Sequence, residues 1–316
     1  MDFQQFSETL DNARKGVSKH KYQCCIPGCK KTALEHSHIV PQCVLKKYIC
    51  DDKNKLIQCQ IDEIHPMSTG ITGELPFEKF TTLGLAQAMS MPIFCKQHDN
   101  DLFSEYEKNA DAIEPFNINF QILQSLRAIG ALRHTFERNI IQHEFMKEYN
   151  DFFAGGVFED EKKNNEYLIR RCDSTISYLY DLLEKEDYDS FEFTCIQLEQ
   201  IKLAICDVLI DEDDLIEHCM DEGCNKPFNA LYIHLLPKEN NSFLILGYNK
   251  KLVSKEQMVL MGKWISELKY RKEVPTIYEI LCNCSNNWCV SPDCGTQILD
   301  YLKNNYSIDR INNHLK

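Results

Sequence analysis

Cys24-Cys25-Ile26-Pro27-Gly28-Cys29 and Phe94-Cys95-Lys96-Gln97-His98-Asp99 bracket the step Ser37-His38-Ile39-Val40-Pro41, and these words decide how the N-terminal end folds. The outer two offer a pair of thiolates, then a thiolate with an imidazole, which together make a tetrahedral donor set for a structural zinc ion. Cys24 and Cys29 have the Cys-x4-Cys spacing of a zinc knuckle, with Cys25 as a rival for the first position. Gly28 lets the chain turn so that peptide N–H groups face a sulfur. Zn²⁺ is therefore expected at Cys24, Cys29, Cys95 and His98. A segment this rich in loops needs such a staple to hold its shape.

Hydrophobic residues make up 43% of the 316 and charged residues 26%, the balance of a soluble protein with a packed core. At roughly 150 residues per domain the chain has room for two. No apolar run approaches about 18 residues, so no membrane span and no membrane partner are expected. Met1–Phe6 is neither basic nor continuously apolar, which argues against a secretory signal. Sixteen cysteines in that context read as reduced thiols and metal ligands in a cytoplasmic protein.

The net charge of −13 argues against broad nucleic-acid affinity, but its distribution is uneven. Residues 1–50 carry eight Lys/Arg against four Asp/Glu, which leaves −17 on residues 51–316. Arg14, Lys15, Lys19, Lys21, Lys30, Lys31, Lys46 and Lys47 surround the first cysteine word and the histidine step. That strip suits local phosphate contact with steep salt dependence.

Apolar spacing of three and four predicts helices over 1–20, 110–150, about 159–186, 254–270 and 295–304. Apolar runs at 191–196, 203–209, 230–236 and 242–248 read as strands, and Pro237-Lys238-Glu239-Asn240-Asn241 marks a hairpin. The expected fold class is α+β, with boundaries at 1–108 (zinc-binding module), 109–189 (helical segment) and 190–316 (α+β domain). Residues 42–94 form a long insertion within the first unit. Cys282, Cys284, Cys289 and Cys294 cluster near the C-terminal end, and His218, Cys219 and Cys224 form another small group. Their spacing is atypical for zinc, so buried reduced thiols are the plainer reading. Trp288 and Pro292 mark an anchored turn, and this turn and the 230–248 hairpin are either partner surfaces or core.

The order of zinc knuckle, strand histidine and second zinc pair opening a helix resembles the zinc-stapled HNH (ββα-metal) endonucleases over the first third of the chain. The resemblance implies an N-terminal ββα-metal module in which His38 is the general base. It also implies a catalytic Mg²⁺ or Mn²⁺ and a nucleic-acid substrate, DNA rather than RNA. The chain departs from the family at Ser37, where many members place an Asp or His metal ligand. Asp99, directly after His98, is then the expected ligand of the catalytic metal, with His36 as substitute. Asp101 and Glu105 lie further along the same segment. The resemblance implies phosphodiester hydrolysis, with defence against phage or mobile elements as context. The alternative is a catalytically degenerate zinc-dependent binding or adaptor protein. A second copy or a protein partner engaging 190–316 is expected to control activity.

Overall fold

Pro115 and Asn117 set where the central helix begins. Proline cannot extend a helix from upstream, and Asn117 Oδ1 accepts from Phe120 N at 3.0 Å, capping the first turn. The helix expected over 110–150 therefore runs Ile118–Tyr149, preceded by a short 3₁₀ turn at Ala110–Ala112. The computed structural model describes residues 3–61, 78–149, 156–210, 225–270, 285 and 287–305.

In chain order the elements are α1 (Phe3–Val17), β1 (Ser37–His38), α2 (Gln42–Val44, continuing into a π turn at Leu45–Ile49), β2 (Lys55–Ile61), β3 (Glu78–Gly84), β4 (Ser90–Met91) and α3 (Lys96–Phe103). Then come α4 (Ile118–Tyr149), α5 (Val157–Lys185), β5 (Phe191–Glu199), β6 (Leu203–Ile210), β7 (Ala230–Pro237), β8 (Asn241–Asn249), α6 (Lys255–Tyr270), β9 (Trp288–Val290) and α7 (Thr296–Asn305). The class is mixed α+β.

A seven-stranded antiparallel sheet runs β3-β2-β9-β6-β7-β8-β5. Its strands read as apolar runs because both faces are covered. Ala204, Cys206, Val208 and Tyr232 join the cluster containing α4 and α5. Leu203, Ile205, Leu231 and Ile233, one residue out of step, join Met261, Trp264 and Leu302 of α6 and α7. The hairpin β7–β8 and the Trp288 turn are accordingly core: Trp288 is buried in β9, where Val290 pairs with Ile57 on one side and Leu203 on the other. The insertion 42–94 thus contributes two strands to the sheet built by the C-terminal half, so the sheet spans the boundaries expected at 108/109 and 189/190.

A second, two-stranded sheet pairs β1 with β4, Ser37 opposite Met91 and His38 opposite Ser90, and α3 follows at once. Helix α4 backs this unit at Gly130, where a Cβ would stand 2.6 Å from Ile93 Cγ2 and 3.6 Å from Cys25 Sγ. Alanine would gain about 1 kcal/mol of helix propensity, but overpacking a filled core costs about 1–3 kcal/mol. Ile93 is fully buried and has little room to yield. Gly130→Ala should therefore lower stability slightly and Gly130→Val by about 2 kcal/mol or more, read from denaturant midpoints. A gain in stability for the alanine variant would show that the helix has room to move. Among the described residues no helix is long and apolar enough to cross a membrane.

Candidate metal centre and the histidine beside it

Residues Tyr22–Ala33 double back on themselves, held by Cys24 N to Lys31 O at 2.9 Å and Ala33 N to Tyr22 O at 2.9 Å. Ile26-Pro27-Gly28-Cys29 makes the tip, with Cys29 N donating to Ile26 O at 3.0 Å. Gly28 sits at φ +74°, the left-handed position such a turn needs after proline. Cys95 occupies the N-cap of α3, so its sulfur stands at the positive end of the helix.

The turn and the cap bring Cys24, Cys29, Cys95 and His98 together, their donor atoms all within 4.8 Å of one another. Cys29 Sγ lies 3.9 Å from Cys95 Sγ, and His98 Nδ1 lies 3.3 Å from Cys24 Sγ and 3.6 Å from Cys95 Sγ. Ligands about 2.3 Å (sulfur) and 2.0 Å (nitrogen) from one tetrahedral ion would be separated by about 3.6–3.8 Å. The four residues could hold a metal such as zinc. The rivalry between the adjacent cysteines is settled by geometry: Cys24 converges on the cluster, while Cys25 is buried under Gly130. Burial works to raise the Cys95 thiol, but the peptide N–H groups of His98 and Gln97 and the neighbouring thiols outweigh it and hold the group below its ordinary value. Burial pushes Cys24 up to about 12. Tyr180 of α5 sets its ring edge-on to His98, with centroids 6.5 Å apart.

Beside this cluster stands His38. Its Nε2 lies 3.0 Å from the Leu85 carbonyl, the nearer of its two partners, with the Gln42 side-chain amide 3.5 Å away. A carbonyl only accepts, so Nε2 carries the proton and Nδ1 keeps its lone pair. Among the described residues no hydrogen bond to Nδ1 is made. Burial lowers the pKa of His38 and so favours the neutral ring; the Leu85 carbonyl, Glu107 and Asp99 push upward, and Arg127 down. Leu85 follows directly on β3, so the insertion supplies the group that orients the histidine.

Ser37 is 1% exposed, and its hydroxyl lies 3.3 Å from both Phe94 N and Phe94 O. Asp99, in the first turn of α3, is half-buried, and its Oδ1 is fully buried with no hydrogen-bond partner. Burial raises the Asp99 pKa; Arg127, the Ser37 hydroxyl and His38 pull it down, while Glu107 adds to the rise. His36 is exposed and its Nδ1 meets Ser90 Oγ at 3.2 Å. Asp101 and Glu105 are exposed.

Two site residues escape the sequence reading. Arg127 of α4 is 1% exposed, with its guanidinium 4.0 Å over the Phe103 ring and Nη2 donating to Glu107 Oε1 at 2.6 Å. Glu107 Oε2 accepts from Gln42 N at 2.7 Å, four residues after His38. A charge inside the apolar run Leu126-Arg127-Ala128-Ile129 was the only signal in the sequence.

Among the described residues, the one group of three or more His, Cys, Asp or Glu able to hold a metal is the Cys24–His98 set. Cys289 is buried in β9 and Cys294 half-buried, both thiols pushed upward by burial. Cys282, Cys284, His218, Cys219 and Cys224 lie outside the described residues. Comparison with protein families, curated proteins and solved structures gives no match to this chain.

Proposed function

We infer that this chain is a zinc-stapled, metal-dependent endonuclease of the HNH type that hydrolyses phosphodiester bonds in DNA. The observation that supports it most is the juxtaposition of an imidazole with an open Nδ1 and a carboxylate with an unpartnered, buried Oδ1, both tied to one Cys3His cluster. His38 takes a proton from water at Nδ1, and the Leu85 carbonyl steadies the ring as it becomes charged. Asp99 would hold Mg²⁺ or Mn²⁺, ions that favour carboxylate oxygen and accept one or two such ligands with water completing the shell. When bound, such an ion supplies Lewis-acid stabilisation of charge developing on the phosphate. The engagement of the Ser37 hydroxyl with the Phe94 peptide favours Asp99 over Ser37 for that role.

Lys15, Lys19, Lys21, Lys30 and Lys46 are exposed, whereas Lys47 is paired with Asp111 and Arg14 with Asp11. The free lysines fit phosphate contact, with affinity falling steeply as salt rises. The buried Ser37 in a ligand position also favours a second reading, a binding or adaptor protein that has lost catalysis. Plasmid DNA incubated with purified protein and Mg²⁺, Mn²⁺ or Ni²⁺ separates the two. Cleavage abolished by EDTA supports the first, and intact plasmid with zinc in place replaces it by the second.

The ligand assignment makes a sharper prediction. Asp99→Ala should cut the initial rate by at least about 10²-fold at low Mn²⁺, since it removes the carboxylate that orders the ion. Ser37→Ala should keep the metal dependence and instead lose about 1–3 kcal/mol of stability, because it orphans the buried Phe94 N–H. Rates measured across a Mn²⁺ titration check this; equal losses in both variants would mean that Ser37 orients Asp99.

A further inference from the structure

Arg127 and Asp99 are two halves of a salt bridge that is not made. Arg127 Nε and Nη1 are buried without a hydrogen-bond partner, and so is Asp99 Oδ1. The two groups belong to one corner: Phe103, whose ring lies under the guanidinium, is one turn after Asp99 on α3, and the arginine's charge lowers the Asp99 pKa against the rise caused by burial. A buried arginine with spare N–H groups would ordinarily close on such a carboxylate. Here it is restrained from two sides. Glu107 Oε1 holds Nη2 at 2.6 Å, and the Phe103 ring holds the guanidinium plane at 4.0 Å. Glu107 is itself anchored by Gln42 N, at the start of α2.

We propose that Glu107 and Phe103 are positioning residues that hold Arg127 off Asp99, keeping the buried Asp99 Oδ1 unpaired and available to a divalent cation. The inference rests on the reading of Asp99 as a metal ligand. Arg127 has a double use in this arrangement. Paired with Glu107 it gives the buried acidic corner a counter-charge, and kept away from Oδ1 it does not compete for the lone pairs a cation needs. The residue sequence is specific: one carboxylate to restrain the guanidinium, one ring to fix its plane, one carboxylate left free.

The test is Mn²⁺ binding to zinc-loaded, full-length protein, read by electron paramagnetic resonance and calorimetry, with plasmid cleavage beside it. Glu107→Gln should weaken Mn²⁺ binding by at least about tenfold, the scale of losing an outer partner of a metal ligand. A neutral amide restrains Arg127 roughly half as well as a carboxylate, so the guanidinium can turn to Asp99. Adding Arg127→Met to Glu107→Gln removes the competitor and should restore affinity to within a few-fold of wild type. A merely structural role for Glu107 would make the double variant as poor as the single one or poorer, and that result overturns the proposal. Unchanged Mn²⁺ affinity in Glu107→Gln overturns it too. Should Glu107→Gln fail to retain zinc, Arg127→Met alone decides: affinity equal to or above wild type supports the restraint, and lower affinity refutes it. Wild-type protein that binds no Mn²⁺ defeats the inference outright. Wild-type protein that binds Mn²⁺ and shows the rescue pattern, but never cuts DNA, upholds the inference and defeats the nuclease reading.

Discussion

Cys95→Ser will strip the protein of most of its zinc and unfold the N-terminal unit first. Cys95 does two things at once. Its sulfur is one of the four converging donors, and it caps the N-terminus of α3, where peptide N–H groups favour the thiolate. A serine hydroxyl can serve as a cap but is a poor zinc ligand. Structural zinc contributes about 10–16 kcal/mol in small zinc-binding folds at neutral pH. The whole stability of a domain is about 5–15 kcal/mol, so losing the ion is comparable with losing the fold of whatever depends on it.

What depends on it is local. Residues Tyr22–Leu34 are joined to the Ile93–His98 segment by Cys25 N to Ile93 O at 2.9 Å, Leu34 N to Phe94 O at 2.8 Å, Lys31 to the Gln97 side chain, apolar packing of Cys25 and Ile26 with Ile93 and Phe94, and the four converging donors. The seven-stranded sheet, by contrast, is covered by α4 and α5 on one face and by α6 and α7 on the other. Hydrogen exchange should therefore show lost protection over 22–33 and 95–103 in Cys95→Ser, with β7 and β8 still protected. Elemental analysis should give one zinc per wild-type chain and a small fraction of that in the variant. Equal zinc in both would sink the four-ligand assignment.

The helices and the 230–248 hairpin were legible because each is a local pattern. Apolar spacing marks α4 and α5, and two apolar runs around Pro237–Asn241 mark β7 and β8. The convergence of Cys24, Cys29, Cys95 and His98 was legible for a similar reason, since donor spacing within each word is fixed by a single turn of chain. The pairing of β2 with β9 was not, because Ile57 and Val290 meet across more than two hundred residues with no local signal at either end. Trp288 could be read as an anchored turn; its place in a strand between β2 and β6 depends on partners far along the chain. The acceptor that fixes His38 is equally hidden, being the backbone carbonyl of Leu85, a group every residue possesses. Arg127 left only a faint trace, because a charge in an apolar helix declares burial without declaring its partner.

His38→Ala should lose metal-dependent cleavage by about 10²–10⁴-fold while keeping zinc and melting behaviour close to wild type. His38 is outside the converging set of four donors, so its removal leaves the staple intact. The ring is half-buried, and truncating it leaves the Leu85 carbonyl where water can replace the lost bond. The pH profile provides the second readout. Burial lowers the histidine's pKa below its ordinary 6.5, so the base stays neutral and competent through neutral pH. Wild-type activity should therefore hold down to pH about 6.5 and fall only on further acidification, as Nδ1 takes up a proton. In His38→Ala the residual rate should lack that acid limb. Zinc loss in the variant would make His38 a ligand and remove it from the base role. An unchanged acid limb would assign the titrating base to another group, with His36, bonded to Ser90 on the same hairpin, the next to replace.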